Sequence, residues 1–291
     1  LKQANPELKS KVLRDLPLSL LDEIKLMDLE EYMEYLKCYS TEKREDLMNT
    51  ERGIMRKVST VKSFYNYFYR TERIQNNPAS LLQLPKIHEK EIIRLDVDEV
   101  ARFLDEVEDG ECLTEKQKAY HAKTKLRDLA MMTLLLGTGL RVSECVGLNI
   151  NDVDFRNGGL RIHRKGGKEV IVYFGAEVEY ALHDYLRERE HIVPEEGSEE
   201  ALFLSMQRKR INVRSVEKMV KKYAQLVTPL KKITPHKLRS TYGTNLYRET
   251  GDIYLVADVL GHSDVNTTKK HYAALEDERR RSARNKAVSY T

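Results

Sequence analysis

The amino-acid sequence predicts a mainly α-helical protein of two domains, one of which contains a small antiparallel β-sheet. Most of the chain carries apolar residues at intervals of three and four, the period of an amphipathic helix. Residues 153–173 instead alternate between apolar and polar positions and contain two turn sequences, as antiparallel strands do. A length of 291 residues is enough for two ordinary domains, each with its own hydrophobic core.

Residues 1 to about 85 have the pattern of a helical domain. Apolar positions recur at helical spacing over residues 20–36, and Ser19 directly before them predicts an N-cap. After a polar break at residues 40–45, a second helix is predicted over residues 54–69, and Pro78 predicts the start of a short third helix. The core-facing positions expected on the second helix are Val58, Val61, Phe64, Tyr65 and Phe68. Basic residues on its other face predict a DNA-binding surface, namely Arg52, Arg56, Lys57, Lys62 and Arg70.

A charged and irregular stretch over residues 84–95 predicts a linker between the two domains. We place the boundary there, so that the predicted domains are residues 1–91 and 92–291. Asp96 is expected to cap the first helix of the second domain.

The net charge of +4 is small, but the charges are unevenly distributed. Residues 201–250 contain twelve Lys or Arg and two Asp or Glu, whereas residues 177–200 contain nine acidic residues and two arginines. This segregation favours a protein with one basic face for a polyanion, although solvated helix faces give the same pattern. The residues expected to contact a phosphate backbone here are Arg208, Lys209, Arg210, Lys231 and Lys232.

Composition argues against several other classes of protein. No apolar run approaches the roughly 20 residues that span a bilayer, and we expect no signal peptide because the first residues lack an apolar core. Cys38, Cys112 and Cys145 form neither a disulfide framework nor a Cys-x-x-Cys metal motif, and we expect them to be buried or half-buried thiols. These features predict a cytoplasmic protein without membrane association.

Residues 234–272 concentrate side chains that suit phosphate chemistry. Pro235 predicts the first turn of one helix, and Gly261 predicts the end of the next. Four functional side chains accompany these signals: His236, Arg239, His262 and Tyr272. The first two lie three residues apart and share a helix face, and the tyrosine follows the second histidine by ten residues. Arginine binds phosphate oxygens with two donors, histidine transfers protons near neutral pH, and tyrosine oxygen forms covalent intermediates.

Two further motifs lie upstream in the same predicted domain. The almost wholly apolar residues 125–136 predict a buried helix, and after a Gly-Thr-Gly sequence the next helix begins around Arg141. An arginine at the edge of buried helices needs a charge partner, for which Glu144 is the simplest candidate. A three-stranded antiparallel sheet is predicted over residues 153–173, and Lys165 lies in its second hairpin turn.

Together these motifs resemble the tyrosine recombinases, the phage integrase and Xer family. Gly-Thr-Gly-Leu-Arg-x-Ser-Glu resembles the first arginine motif of the family, and His-x-x-Arg with the later Leu-Gly-His-Ser resembles its C-terminal signature. Arg-Lys-Gly-Gly-Lys-Glu resembles the hairpin that carries the family's catalytic lysine, with Lys165 at that position and Lys168 as a less favoured substitute. The catalytic residues that the resemblance implies are Arg141, Lys165, His236, Arg239, His262 and Tyr272.

The resemblance also implies a fold, a reaction and partners. Residues 1–91 are expected to be a helical core-binding domain, with one further helix upstream of Leu1, and residues 92–291 an α+β catalytic domain. Tyr272 is expected to join the DNA 3′-phosphate in a reaction that needs no metal, ATP or other cofactor. The implied partners are double-stranded DNA with inverted-repeat core sites and further copies of the chain, in a tetramer held by the C-terminal segment, residues 276–291.

Other functions share parts of the pattern. A type IB topoisomerase uses the same cleavage chemistry, and a DNA-binding regulator with a decayed site would keep the basic surfaces. A metal-dependent nuclease would use His236, His262 and His271, but the clustered carboxylates that such sites prefer are missing from the sequence. Within the recombinases, both chromosome dimer resolution and movement of a mobile element stay open, with the Xer-like layout favouring the first. Ser240, where many relatives have histidine, departs from the family pattern.

Overall fold

The computed structural model describes residues 16–41, 44–85, 93–164 and 167–261. The chain divides into two compact units, residues 1–90 and 91–291. The elements of the first unit are α1 (Leu20–Glu23), α2 (Leu26–Lys37), β1 (Cys38–Thr41), β2 (Arg44–Met48), α3 (Glu51–Arg70) and a 3₁₀ helix (Pro78–Leu81).

Helix α3 organises the core of the first unit. Its N-cap is Thr50, whose side-chain oxygen accepts a hydrogen bond from the Gly53 N–H at 3.2 Å. The predicted helix is confirmed, and Val58 and Tyr65 are buried in the core. Phe64, also expected in the core, is 46 % exposed, so that expectation is wrong. It lies beside the stripe formed by positions 58, 61, 65 and 68 and packs its ring on Phe68, with the ring centroids 4.8 Å apart.

The prediction of a single helix over residues 20–36 is wrong. The region forms two helices, α1 and α2, because the backbone is extended at Ile24 between them. Ile24 is buried in the core of the unit. Asp22 accepts hydrogen bonds from the backbone N–H groups of residues 75–76 at 2.7 and 2.9 Å, which fixes the end of α1. Ser19, the expected N-cap, makes no side-chain capping hydrogen bond within the described ranges.

The helices do break around the polar residues 40–45, but we did not predict from the sequence that β1 and β2 form an antiparallel hairpin there. Asn49 closes this hairpin against the helices on either side. Its side chain donates to the Leu36 carbonyl at 2.7 Å and accepts from Lys57 Nζ at 2.9 Å. The Asn49 amide therefore ties the end of the hairpin to α2 and α3, which local polarity does not predict.

The second unit is mainly helical around one small sheet. Its elements are α4 (Val97–Asp109), α5 (Glu115–His121), α6 (Lys125–Thr138), α7 (Val142–Gly147), a 3₁₀ helix (Ile150–Asp152), β3 (Val153–Asp154), β4 (Gly159–Arg164), β5 (Lys168–Tyr173), α8 (Ala176–Arg189), α9 (Val213–Val227), α10 (Pro235–Thr250) and α11 (Ile253–Leu260). The sheet is antiparallel in the order β3-β4-β5. The mainly α class with a small antiparallel sheet is therefore confirmed.

Helix α6 lies at the centre of this unit and packs against α4, α7, α8 and α10. Met132, Leu134 and Leu135 are fully buried, which explains why the helix is apolar on nearly every face. Burial of one such side chain stabilises the fold by roughly 1.5–3 kcal/mol. The helix ends at Gly139, whose left-handed backbone (φ +63°) turns the chain towards α7.

The cysteines are distributed differently from the expectation. Cys145 is buried, but Cys38 and Cys112 are exposed, so the expectation of buried or half-buried thiols is wrong for these two. Cys112 follows the end of α4, where its backbone N–H donates to the Glu106 carboxylate.

Among the helices in the described ranges, none is long and apolar enough to cross a membrane.

We predict that Gly139→Ala destabilises the protein by more than about 1 kcal/mol, because an L-residue is strained at this positive φ. The added Cβ would also overlap the Tyr242 ring. Urea unfolding of both proteins measures the loss. Gly147→Ala is the matched control, since a Cβ there meets no atom within 4 Å in the described structure, and equal effects of the two substitutions would contradict the prediction.

Candidate active site

The carboxyl end of α11 is a point where distant parts of the second unit meet. The last carbonyl groups of a helix lack intrahelical partners and carry the negative end of its dipole. Three arginines from three different elements each donate to one of three successive carbonyls: Arg141 to Gly261 (3.2 Å), Arg164 to Val259 (3.1 Å) and Arg239 to Leu260. The helix end thus gathers three guanidinium groups in one place.

Arg239 is the most buried of the three, at 5 % exposure. It lies in the second turn of α10, which begins with Pro235, as the sequence predicted. Besides Leu260, its guanidinium donates to the Gly139 carbonyl at 2.5 Å. A charged group buried this deeply needs such acceptors, and here they are the ends of α6 and α11.

Arg141 occupies the N-cap position of α7 and forms a two-sided contact with Glu144. Its backbone N–H donates to Oε2 at 2.9 Å, and its Nη1 donates to Oε1 at 2.8 Å. The Glu144 side chain is 7 % exposed, whereas that of Arg141 is 42 % exposed. The buried carboxylate therefore holds a guanidinium that reaches the surface, and the charge partner expected for Arg141 is present.

Arg164 is a member of this cluster that our sequence reasoning missed. It is the last residue of β4, and its side chain is 14 % exposed. The strand alternation contains the signal that could have found it, because Leu160 and Ile162 are buried on the same face of β4. Its Nε lies 3.7 Å from Glu144 Oε1, which is an ion pair without a direct hydrogen bond.

His236 lies in the first turn of α10 and is exposed. Desolvation by the surrounding protein lowers the pKa of its imidazole, and the positive charges of Lys237, Arg239 and Arg141 lower it further. These charges act on the ring because the structure brings His236, Arg239 and Arg141 into one neighbourhood. At neutral pH the imidazole is therefore predominantly neutral and able to accept a proton.

The other three predicted catalytic residues, Lys165, His262 and Tyr272, lie outside the described residues. So do His271 and the expected C-terminal helix at residues 276–291. In the sequence, Lys165 directly follows Arg164, and His262 directly follows Gly261.

The basic residues predicted on α3 differ in what they contact. Arg52 and Arg56 are exposed. Lys57 donates to the Asn49 side chain, and its Nζ lies 5.2 Å from the centre of the Tyr39 ring. Lys62 donates to two backbone carbonyls near the 3₁₀ helix, those of Ser80 (3.3 Å) and Leu82 (2.8 Å).

The basic residues predicted in the second unit also fall into two groups. Lys209 and Lys232 are exposed. Arg208 pairs with Glu195 at 2.8 Å. Arg210 and Lys231 cross-link the fold through these contacts: Arg210 to the Val146 and Leu148 carbonyls and the Asn149 side chain, and Lys231 to Asp96 and Glu99.

Comparison with known proteins identifies relatives that match most of the chain. The sequence matches the model of the phage integrase family over residues 94–279. It is 36 % identical over 277 residues to the tyrosine recombinase XerC of Caldanaerobacter subterraneus subsp. tengcongensis, covering 94 % of this chain and 71 % of that protein. It is 31 % identical over 259 residues to the tyrosine recombinase XerD of Oceanobacillus iheyensis, covering 83 % of each.

The solved structures that resemble this fold are also recombinases and integrases. The crystal structure of XerA recombinase matches with a TM-score of 0.56 at 27 % identity, covering 99 % of this chain and 90 % of that one. XerH recombinase, bound to palindromic difH substrate in a post-cleavage complex, matches with a TM-score of 0.67 at 19 % identity, covering 96 % and 75 %. An integrase of the transposon Tn1549, in complex with circular intermediate DNA, matches with a TM-score of 0.67 at 22 % identity, covering 94 % and 90 %. The family model and the sequence relatives, together with this fold, show that the chain belongs to the phage integrase family and is a tyrosine recombinase.

Proposed function

We propose that this protein cuts and rejoins DNA strands at specific sites through a 3′-phosphotyrosine intermediate. The observation that supports this best is that Arg141 and Arg239 meet at the end of α11, with His236 near enough that both charges lower its pKa. Two guanidinium groups and a neutral imidazole form a set that suits a phosphodiester.

The proposed chemistry starts with charge on the scissile phosphate. Attack on phosphorus places additional negative charge on the non-bridging oxygens, and Arg141 and Arg239 donate to them. His262 is proposed as a further donor. By analogy with oxyanion holes, one such donor stabilises the transition state by roughly 3–4 kcal/mol. The guanidinium groups are held in place before substrate binds, because the helix-end carbonyls already orient them.

The bond changes balance without an external cofactor. The Tyr272 oxygen forms a bond to phosphorus while the bond from phosphorus to the 5′-oxygen breaks. The phenol proton passes to His236, and the leaving 5′-oxygen takes a proton from Lys165. One phosphodiester is exchanged for another, so a 5′-hydroxyl from a second strand reverses the step and joins the strands.

Both units contribute to the proposed DNA complex. Residues 1–91 act as the core-binding domain and residues 92–291 as the catalytic domain. Exposed basic residues such as Arg52, Arg56 and Lys209 contact the phosphate backbone, which positions the protein without reading sequence. We propose double-stranded DNA with inverted-repeat core sites as substrate and a tetramer, held by the C-terminal segment, as the active assembly. Its role is chromosome dimer resolution or movement of a mobile element.

We predict that Tyr272→Phe abolishes formation of a covalent protein–DNA adduct but leaves DNA binding intact, because only the attacking oxygen is removed. The probe is a pool of labelled duplexes with randomised inverted arms and a nick in the central spacer. Cleavage near the nick releases a short strand that diffuses away, so the covalent adduct cannot reverse and accumulates. SDS-stable adduct is measured by gel, and binding by mobility shift. Wild-type adduct should be unaffected by EDTA, and adduct that survives Tyr272→Phe would refute the assignment.

We predict that the pKa of His236 lies below its ordinary value of about 6.5 and that Lys237→Gln raises it, because one of the nearby positive charges is removed. Titration of the imidazole signals by NMR, assigned with His236→Gln, measures both values. Lys218→Gln is the matched control, because that charge is not among those that act on His236. A wild-type pKa at or above the ordinary value would contradict the prediction.

Because the pKa of His236 is lowered in the folded protein, this residue makes the free energy of unfolding depend on pH. The folded state binds this proton less tightly than the unfolded chain, so His236 reduces stability as the pH falls below about 6.5 and has no effect well above it. We therefore expect His236→Gln to lose less thermal stability than wild type on acidification through this range. Thermal unfolding at several pH values tests this, and identical acid losses would contradict it.

For the proposed DNA surface on α3, we predict opposite phenotypes for two basic residues. Arg56→Gln should weaken DNA binding and reduce the salt dependence of affinity by about one counterion, without lowering the melting temperature. Lys62→Gln should mainly lower the melting temperature, because it loses two carbonyl contacts. Fluorescence anisotropy with a labelled duplex at several salt concentrations, together with thermal unfolding, separates the two. An unchanged salt slope in Arg56→Gln would remove this residue from the interface.

A further inference from the structure

Arg164 has contacts that none of the proposed catalytic roles explains. Its guanidinium reaches from the end of β4 to the end of α11, where Nη2 donates to the Val259 carbonyl. A Cβ atom at Gly261 would overlap this guanidinium, so the glycine leaves the space that Arg164 occupies. The positive φ of Gly261 (+61°) also suits glycine. Strand β4 and the turn after α11 are therefore fitted to each other through one side chain.

The second contact of Arg164 is with the carboxylate that holds Arg141. Glu144 Oε1 lies 2.8 Å from Arg141 Nη1 and 3.7 Å from Arg164 Nε. Within the described ranges, the buried Nε of Arg164 has no hydrogen-bond acceptor, so its main electrostatic partner there is this carboxylate. Glu144 is thus placed between two positive charges, one at the surface and one buried.

A carboxylate near a bound phosphodiester would repel it unless its charge is compensated. Arg141, Arg164 and Arg239 contribute three positive charges and Glu144 one negative charge, which leaves an excess of two. Without Arg164 the excess falls to one, and Glu144 loses the positive charge that attracts Oε1, the oxygen that accepts from Arg141 Nη1. The Arg141 guanidinium would then lose its fixed direction.

We propose that Arg164 is a positioning residue for the reaction, acting through Glu144 to fix the Arg141 guanidinium at the scissile phosphate. The inference rests on the proposed function and extends it beyond the six catalytic residues. Arg164 holds the carboxylate from its buried side, and Val259 and Gly261 hold Arg164. Strand β4 thereby contributes to phosphate binding through a residue that does not touch the DNA.

The test compares Arg164→Met with wild type in single-turnover adduct formation on a nicked duplex selected from the pool described above. We expect the rate to fall by about 10- to 100-fold, the range for small misplacements of a reacting group. DNA binding by mobility shift should change far less. The second substrate is the same duplex with a methylphosphonate at the scissile position, which removes the charge that Arg141 neutralises. If Arg164 acts through Arg141, most of the rate loss disappears on this neutral substrate.

Arg161→Met is the matched control, because Arg161 is an exposed arginine on the opposite face of the same strand, and we expect nearly wild-type rates. The double variant Glu144→Gln with Arg164→Met should be little slower than Glu144→Gln alone, since both act on the same group. Equal losses of Arg164→Met on both substrates, additive losses in the double variant, or no loss at all would each overturn the proposal.

The two proposals fail in different ways. If wild type forms adduct but Arg164→Met matches it, only the role of Arg164 is overturned. If wild type forms no adduct with any duplex of the pool, the recombinase chemistry fails, and the role of Arg164 within it fails too.

Discussion

Hydrogen bonds from three guanidinium groups to the carboxyl end of α11 join separate elements of the second unit at its candidate active site. Arg239, Arg141 and Arg164 come from α10, the N-cap of α7 and β4, and they lie 21, 120 and 95 positions along the chain from the carbonyls that they contact. The end of a helix is well suited to this, because its carbonyl groups need donors and carry partial negative charge. If these contacts were lost, the three guanidinium groups would no longer be fixed at one helix end.

The same contacts bear on catalysis. Ordering a long, flexible arginine costs conformational entropy, and a site that orders it only when substrate binds loses affinity by that amount. Here the carbonyls and Glu144 order the arginines during folding, so the positive field exists before DNA arrives. Preorganised donors of this kind contribute most to transition-state stabilisation. Stability of the fold and readiness for phosphate chemistry therefore depend on the same set of hydrogen bonds.

Much of the fold could be predicted from sequence, because strong periodicity and helix-end signals act locally. The apolar helix α6, the three-stranded sheet and the helix stops at Gly139 and Gly261 are examples. The errors arose where residues distant in the sequence contribute to local structure. Asp22, near the end of α1, accepts hydrogen bonds from residues 75–76, and Asn49 beside the hairpin donates to the Leu36 carbonyl.

The candidate site also combines residues that the sequence predicted with one that only the fold revealed. Spacing and resemblance indicated Arg141, His236 and Arg239, and the structure brings these three together, whereas the roles of Lys165, His262 and Tyr272 stay predictions. Arg164 was missed because a charged residue at the end of a strand is usually a solvated one. The strand alternation places it on the buried face, but only the fold shows that Glu144 and the end of α11 receive it there.

The three arginines differ in solvent exposure, and the contacts of each one explain the difference. Arg239 is buried and spans two helix ends. Arg164 is half-buried and links a strand to a helix end and a carboxylate, and Arg141 is exposed and reaches the surface. A guanidinium has five N–H donors, and burial uses them on carbonyls of the protein. Arg141 makes contacts with Glu144 and Gly261 from the rim of the cluster, so a phosphate that approaches from solvent meets it first. On our proposal, Glu144 and Arg164 fix the direction of that exposed guanidinium, and Arg239 donates to the same phosphate from deeper in the cluster.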